Sequence, residues 1–130
     1  MWNYLFAFPL IMHGLTNLAR VAEVFASKPR SFADKPWIFS SGIRLQSPVG
    51  RIFGLFWLLS TILLVADGLG LILGWSWWAN AAVLGSIFSF IAIVPWWNTV
   101  VPGARFGAIF DLVMIAALLV FREQIAALVE

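Results

Sequence analysis

The sequence IFGLFWLLSTILLVADGLGLIL, residues 52–73, decides the fold class of this chain. It contains a single ionisable side chain, Asp67, and it is longer than the roughly 20 apolar residues that a helix needs to cross a bilayer. Pro48 extends the helix at its start, because a proline fits the first turn of a helix. The predicted membrane helices are residues 2–26, 48–73, 77–97 and 104–121. The sequence therefore predicts an all-α membrane protein, a four-transmembrane-helix bundle that forms one domain over residues 1–130.

The composition points to lipid as the surroundings of this chain. Hydrophobic residues make up 62% of it and charged residues only 11%, whereas soluble domains average roughly 45–50% and about 25%. A soluble fold of this length could not bury so much apolar surface, because small domains leave much of their area exposed. We therefore expect the lipid bilayer as the partner of a multi-pass protein of the cell membrane. No basic stretch is interleaved with aromatic residues, so we expect no nucleic-acid partner.

The basic residues predict the orientation of the bundle. One end of the four helices collects seven of the eight: Arg20, Lys28, Arg30, Lys35, Arg44, Arg51 and Arg105. Because basic residues are enriched in cytoplasmic connections, we expect residues 27–47 and 98–103 in the cytoplasm and both termini on the same, outer side. The apolar residues Trp37, Ile38 and Phe39 predict that the connection 27–47 lies in the membrane interface.

Ionisable and polar residues at membrane depth are the candidates for function. His13, Asn17 and Arg20 are spaced four and then three residues apart, so they share one helical face. Counted at about 1.5 Å per residue, Arg20 lies roughly 9 Å and Asp111 roughly 10 Å from the ends of their helices on the side of the basic residues. These similar depths predict an ion pair between them. Such a pair either fixes helix packing or belongs to a polar pocket. The candidate ligand-binding residues are His13, Asn17, Arg20, Asp67 and Asp111.

Motifs for catalysis, metals and cofactors are missing. The chain has no cysteine and a single histidine, so neither a metal site nor a cofactor is predicted. The short motifs of serine hydrolases, zinc proteases and phosphate loops do not occur. Ser86 or Ser89 with His13 and Asp67 would supply the residue types of a hydrolase triad, but the spacing does not favour it. Asp67 is expected to accept a hydrogen bond from His13 or from a tryptophan of the third helix.

Glycines at four-residue spacing predict close helix packing. Small residues at this interval let two helix backbones approach each other. The pairs are Gly50 and Gly54, Gly70 and Gly74, and Gly103 and Gly107. We interpret them as packing contacts within the bundle.

Two stretches, MHGLTN at residues 12–17 and ARFGAIFD at residues 104–111, resemble motifs of a family of small, uncharacterised four-helix membrane proteins. Its members carry His-Gly-x-x-His near the start and Ala-Lys-Phe-Gly-Thr, followed by Asn, late in the chain. This chain departs from the family at Asn17 and Asp111, which replace the second His and the usual Asn. Some members carry permease-like labels, and the layout is distantly similar to DoxX-like bundles of respiratory and redox membranes. The resemblance implies a fold and leaves the activity open.

Three hypotheses on function follow. The first is a non-enzymatic accessory or scaffold protein that forms a homo-oligomer or joins a larger membrane complex. The second is a binding or transport protein that holds a lipid, a quinone or a small solute in an intramembrane polar pocket. The third is a subunit of a DoxX-like redox complex whose partner carries the cofactor. The missing catalytic motifs favour the first, and a cavity at His13 and Asp111 would favour the second.

Overall fold

The computed structural model describes residues 1–26, 35–39, 42–98 and 102–129, and within these ranges the fold is all helical. The helices are α1 (Trp2–Phe25), α2 (Pro48–Ile72), α3 (Trp78–Ile93), α4 (Gly103–Val120) and α5 (Arg122–Val129). The first four are long and apolar enough to cross a membrane. This confirms the prediction of an all-α bundle with four membrane spans. The helix bounds lie within a few residues of the predicted ones.

The helices pack in chain order, and the bundle is loosest between its first and last spans. Among the described residues, α1 packs closely along α2, α2 along α3 and α3 along α4, whereas α1 and α4 approach each other much less. The N-terminus, the α2–α3 turn and the end of α5 meet at one end, where Asn3, Trp75 and Val129 surround a small pocket. We call this the terminal end, and the opposite end, which carries most of the basic residues, the basic end. Which end faces the cytoplasm stays a prediction.

Local sequence signals set the ends of the central helices. Ser47 caps α2, because its hydroxyl accepts a hydrogen bond from the backbone N–H of Gly50. Gly74 ends the α2 region with a φ of 71°, a left-handed conformation that a glycine adopts without strain. At the other end of α3, Pro95 lies within a short 3-10 helix, Val94–Trp96, so the α-helix stops earlier than residue 97.

The end of the chain turns back onto the bundle. The sequence predicts that residues 122–130 extend the fourth helix as an amphipathic tail, but the helix bends at Phe121 and α5 begins anew. Arg122 donates a hydrogen bond of 2.8 Å to the side-chain oxygen of Asn80. Ile125 and Val129 pack against the apolar core at the terminal end. The apolar face of α5 therefore covers that end of the core.

Part of the predicted interfacial connection is docked on the basic end. The Trp37 ring stacks on the Trp97 ring at a centroid distance of 5.0 Å. The backbone N–H of Trp37 donates a hydrogen bond of 3.2 Å to the Pro95 carbonyl. Gln46 donates to the carbonyls of Glu23 and Ala26, which the end of α1 leaves without helical partners. The predictions made for Lys28, Arg30 and the rest of 27–34 lie outside the described residues.

Candidate functional site

A hydrogen-bonded cluster in the middle of the bundle receives side chains from all four spans. Asn17 of α1 donates to the hydroxyls of Ser60 of α2 and Ser89 of α3, at 3.1 and 3.0 Å. His13 of α1 bonds through Nε2 to Asp111 Oδ1 of α4 at 2.8 Å and to the Ser89 hydroxyl at 3.1 Å. We call these five residues the polar junction. In a medium without water, such bonds satisfy polar groups that would otherwise be costly to bury.

Two neighbours on α4 hold the His13 ring in place. Gly107 lies so close that a methyl group there would be 3.2 Å from His13 Cε1 and 3.2 Å from Ile93 Cδ1. The Phe110 ring lies at a centroid distance of 4.8 Å from the imidazole. The predicted glycine packing therefore applies at Gly107, because a methyl group there would require His13 and Ile93 to shift by a few tenths of an ångström.

The second ring nitrogen of His13 remains available. Nε2 bonds to Asp111 and Ser89, while Nδ1 has no hydrogen bond among the described residues and is not among the buried atoms. The arrangement that satisfies the carboxylate has Nε2–H donating to Asp111 Oδ1, with the Ser89 hydroxyl also interacting with that carboxylate. Nδ1 then lies on the side of the ring that faces Gly107.

The predicted ion pair between Arg20 and Asp111 is wrong. Asp111 is fully buried, and the ionisable side chain that it contacts is His13. His13 lies seven residues before Arg20, about 10 Å along the helix axis. The depth count failed because it assumed that α1 and α4 end at the same level. The structure instead brings Asp111 two turns deeper into the bundle than Arg20.

A hydrolase triad is not formed. In such triads the serine and the carboxylate bond to different nitrogens of the histidine. Here Ser89 and Asp111 share the same Nε2 atom, so the imidazole cannot pass a proton from one to the other through its ring. The arrangement orients His13 and does not activate the serine.

Asp67 does not join the polar junction. It is fully buried in α2, and neither carboxyl oxygen has a hydrogen-bond partner among the described residues, although the Gly68 N–H makes a weak polar contact. The predicted bond from His13 is absent, because that side chain is held by Asp111. Ser86 of α3 is also buried, and its hydroxyl has no hydrogen-bond partner among the described residues.

The gap between α1 and α4 contains a cavity of about 680 Å³. Its size lies within the range of about 300–1,000 Å³ that is typical of small-molecule sites. Three of the predicted candidates, His13, Asn17 and Arg20, line it, whereas Asp111 lies behind His13 and Asp67 lies elsewhere. The full lining is Phe8, Pro9, Met12, His13, Thr16, Asn17, Ala19, Arg20, Glu23, Trp57, Ile93, Trp96, Gly103, Ala104, Phe106, Gly107 and Phe110. We call this space the α1–α4 cavity.

The cavity opens on the side of the bundle. Phe8 on α1 and Phe106 on α4 stand at its rim, 67% and 66% exposed. Both residues belong to helices that span the membrane, so the opening faces the acyl chains of the bilayer.

One polar group in the wall was missed by the sequence analysis. Trp57 of α2 lines the cavity and is only 2% exposed, and its indole N–H has no acceptor among the described residues. A buried donor without a partner is unusual and costs free energy. Its apolar surroundings in the sequence made Trp57 look like a core residue, and no motif marks it.

The described residues contain no group of three His, Cys, Asp or Glu side chains that would hold a metal ion. Comparisons with protein-family models, with curated proteins and with solved structures gave no match.

Proposed function

We propose that this protein binds a small amphipathic molecule, which enters the α1–α4 cavity from the bilayer. The observation that carries the proposal is the cavity of about 680 Å³ with His13 in its wall. One ring nitrogen of His13 is fixed by the polar junction, and the other is left for a ligand. A histidine that served packing alone would have no need to present a polar atom to an open cavity.

The wall of the cavity suits a molecule with an apolar body and a few oxygen atoms. Aromatic and aliphatic side chains make up most of it. Within this apolar wall, Trp57 contributes an N–H without a partner and His13 contributes Nδ1. Few, well-placed polar groups in an apolar wall are typical of sites that orient a small molecule. An accessory role, which the sequence favours, would require neither this apolar wall nor these two polar groups.

The proposal is tested by filling the cavity without touching its polar groups. Ala19 lines the cavity and is exposed on α1, so Ala19→Phe places a ring in the cavity. Ala116→Phe is the matched control, because Ala116 is exposed on α4 and lies outside the cavity lining. Protein extracted from membranes is examined by native mass spectrometry for a small molecule bound one per chain.

We expect the bound molecule in the wild type and in Ala116→Phe, and its loss in Ala19→Phe. A wild type without any bound small molecule, or an adduct that Ala19→Phe leaves unchanged, would refute the proposal. A stoichiometric protein partner in place of the small molecule would support the accessory role. Visible absorbance or quinone reduction by the purified protein would support the redox hypothesis.

A further inference from the structure

Asp67 lies in an apolar part of the bundle. It stands on α2 between Leu64 and Leu71, which lie three and four residues away on the same helical face. Leu10 of α1 and Leu118 of α4 pack in one apolar cluster with these two leucines. Asp67 is fully buried, and neither carboxyl oxygen has a hydrogen-bond partner among the described residues. An ionised carboxylate in such surroundings is far costlier than the neutral acid, so the closed bundle holds Asp67 with its proton.

No charged side chain of the described residues acts on this carboxyl group. From α1, the side chain of Ile11 and the carbonyl of Ala7 lie beside the residue that follows Asp67. Helix α3 contains no ionisable residue. His13 of α1 and Asp111 of α4 are bonded to each other at 2.8 Å in the polar junction. A negative charge on Asp67 would therefore have no counter-charge inside the bundle, and water would have to supply its hydrogen bonds.

Ser86 lies across the α2–α3 interface from Asp67, and it is also fully buried without a partner among the described residues. The register of these antiparallel helices follows from two contacts, Gly85 beside Leu64 and Gly70 beside Trp78. Asp67 is therefore level with about residue 82 of α3, and Ser86 lies one turn further, about 6 Å along the axis. Side chains of a helix tilt toward its own N-terminus. Because the two helices run in opposite directions, the carboxyl and the hydroxyl tilt toward each other.

The pocket at the terminal end comes within one helical turn of Asp67. This pocket, of about 380 Å³, is lined by Leu71 and Trp78 together with the polar residues Asn3 and Ser76. We call it the terminal pocket. Leu71 lies four residues from Asp67, about 6 Å along the axis, and both Leu71 and Trp78 are buried. These two side chains therefore separate water in the terminal pocket from the carboxyl group.

We propose that Asp67 is a proton-binding site of the bundle, which exchanges its proton with water of the terminal pocket when α2 and α3 separate at Leu71 and Trp78. In the closed bundle the acid is neutral. When water enters, the carboxyl O–H bond breaks, the proton passes to that water, and the electron pair stays on the carboxylate. The carboxylate then accepts hydrogen bonds from the Ser86 hydroxyl and from water. The proposal does not rest on the α1–α4 cavity.

The release of the proton and the opening of the interface are thermodynamically linked. The closed form holds one proton on Asp67, and the open form has released it. A rise in pH therefore favours the open form, and a fall in pH favours the closed form. While most molecules are closed, the open fraction rises by about tenfold for each pH unit, because one proton is released for each opening.

The chain contains no cysteine, so one introduced thiol reports on its own surroundings. Ala82 is fully buried and level with Asp67, and Ala82→Cys places a thiol at the site without removing either polar group. The protein is reconstituted in lipid nanodiscs, and its rate of reaction with a water-soluble methanethiosulfonate is measured from mildly acidic to mildly alkaline pH. The reference carries Asp67→Asn as well, because the amide is neutral at every pH. Dividing the two rates removes the pH dependence of the thiol itself.

We expect the rate of Ala82→Cys, divided by that of the double variant, to rise by about tenfold for each pH unit until opening is complete. Glu123→Gln removes an exposed carboxylate of α5, and as the matched control it should keep this rise. Infrared spectra of the wild type should show the carbonyl band of a protonated carboxyl group, which Asp67→Asn removes. Ala79→Cys, buried in the same cluster, replaces Ala82→Cys if that variant does not fold.

Three results would overturn the proposal. A ratio of rates that stays constant with pH would show that opening does not depend on the Asp67 proton. Identical bands of protonated carboxyl groups in the wild type and in Asp67→Asn would show that this residue carries no proton. A rise that Glu123→Gln abolishes would assign the proton to the surface carboxylate. None of these results depends on ligand binding in the α1–α4 cavity, so the proposed function is tested separately.

Discussion

The bond between His13 and Asp111 predicts a specific coupling between α1 and α4. Removing one partner of a buried hydrogen bond costs about 1–3 kcal/mol when the other polar group is left without any bond. In Asp111→Leu, however, the Ser89 hydroxyl remains 3.1 Å from Nε2 and accepts its hydrogen. We therefore expect a loss of about 1–2 kcal/mol in the free energy of unfolding, since the lost hydrogen bond is partly compensated by Ser89.

A double-mutant cycle isolates the pair. The proteins are the wild type, His13→Leu, Asp111→Leu and the variant with both changes. Hydrogen bonds between helices in membranes average about 0.6 kcal/mol and reach about 1.7, and the 2.8 Å bond to a carboxylate belongs at the upper end. We expect a coupling energy of about 1–2 kcal/mol. Asp111→Asn is the conservative control, because its side-chain oxygen still accepts from Nε2–H, and it should lose less than Asp111→Leu.

The assay is reversible unfolding of the purified protein in mixed micelles, followed by circular dichroism. A second cycle with Arg20→Leu and Asp111→Leu should be additive, because Asp111 contacts His13 and not Arg20. Additive effects in the His13 cycle, within about 0.3–0.5 kcal/mol, would refute the role of the bond. A larger coupling with Arg20 than with His13 would refute the geometry of the junction.

Three further substitutions test the helix packing, the α2–α3 turn and the connection at the basic end. Gly68→Ala should destabilise the bundle by about 1–3 kcal/mol, measured by the same unfolding assay, because its methyl group would lie 2.5 Å from Ile11 Cγ1. Gly74→Ala should cost about 1 kcal/mol through backbone strain alone, since its φ is 71° and the space around it is open; no loss would contradict the left-handed turn. Trp37→Ala should leave the unfolding free energy within about 1 kcal/mol of the wild type but raise proteolysis of the connection, because the stack on Trp97 is lost. Unchanged proteolysis would show that this stack does not hold the connection.

The fold was predictable because membrane spans leave a strong signal in sequence. A stretch of about 20 mostly apolar residues rarely forms anything other than a membrane-spanning helix. The four predicted helices accordingly match those of the structure closely. The bend at Phe121 was not predicted, since the sequence around it shows neither proline nor glycine. It depends on the packing of α5 against the terminal end, which is a tertiary interaction.

The site was predictable only in part. The spacing of His13, Asn17 and Arg20 placed them on one face, and all three line the same cavity. Helical spacing gives no information on the relative levels and rotations of two different helices, so the partner of Asp111 was assigned wrongly. The relative level of α1 and α4 depends on tertiary contacts, such as the close approach of Gly107 to His13, which become visible only once both helices are packed. Ser60 and Trp57 were missed because a serine or tryptophan in an apolar helix has no distinctive pattern.

The most direct test of the α1–α4 cavity is photo-crosslinking in the membrane. A single-chain amphipathic molecule with a photoreactive group in its acyl chain is incorporated into membranes that contain the protein, and the labelled residues are mapped by mass spectrometry. We predict that labels concentrate on the facing surfaces of α1 and α4, around Met12 and Phe110, and that Ala19→Phe removes them. Labels spread evenly over the exposed faces of α2 and α3, and unchanged by that substitution, would contradict the account.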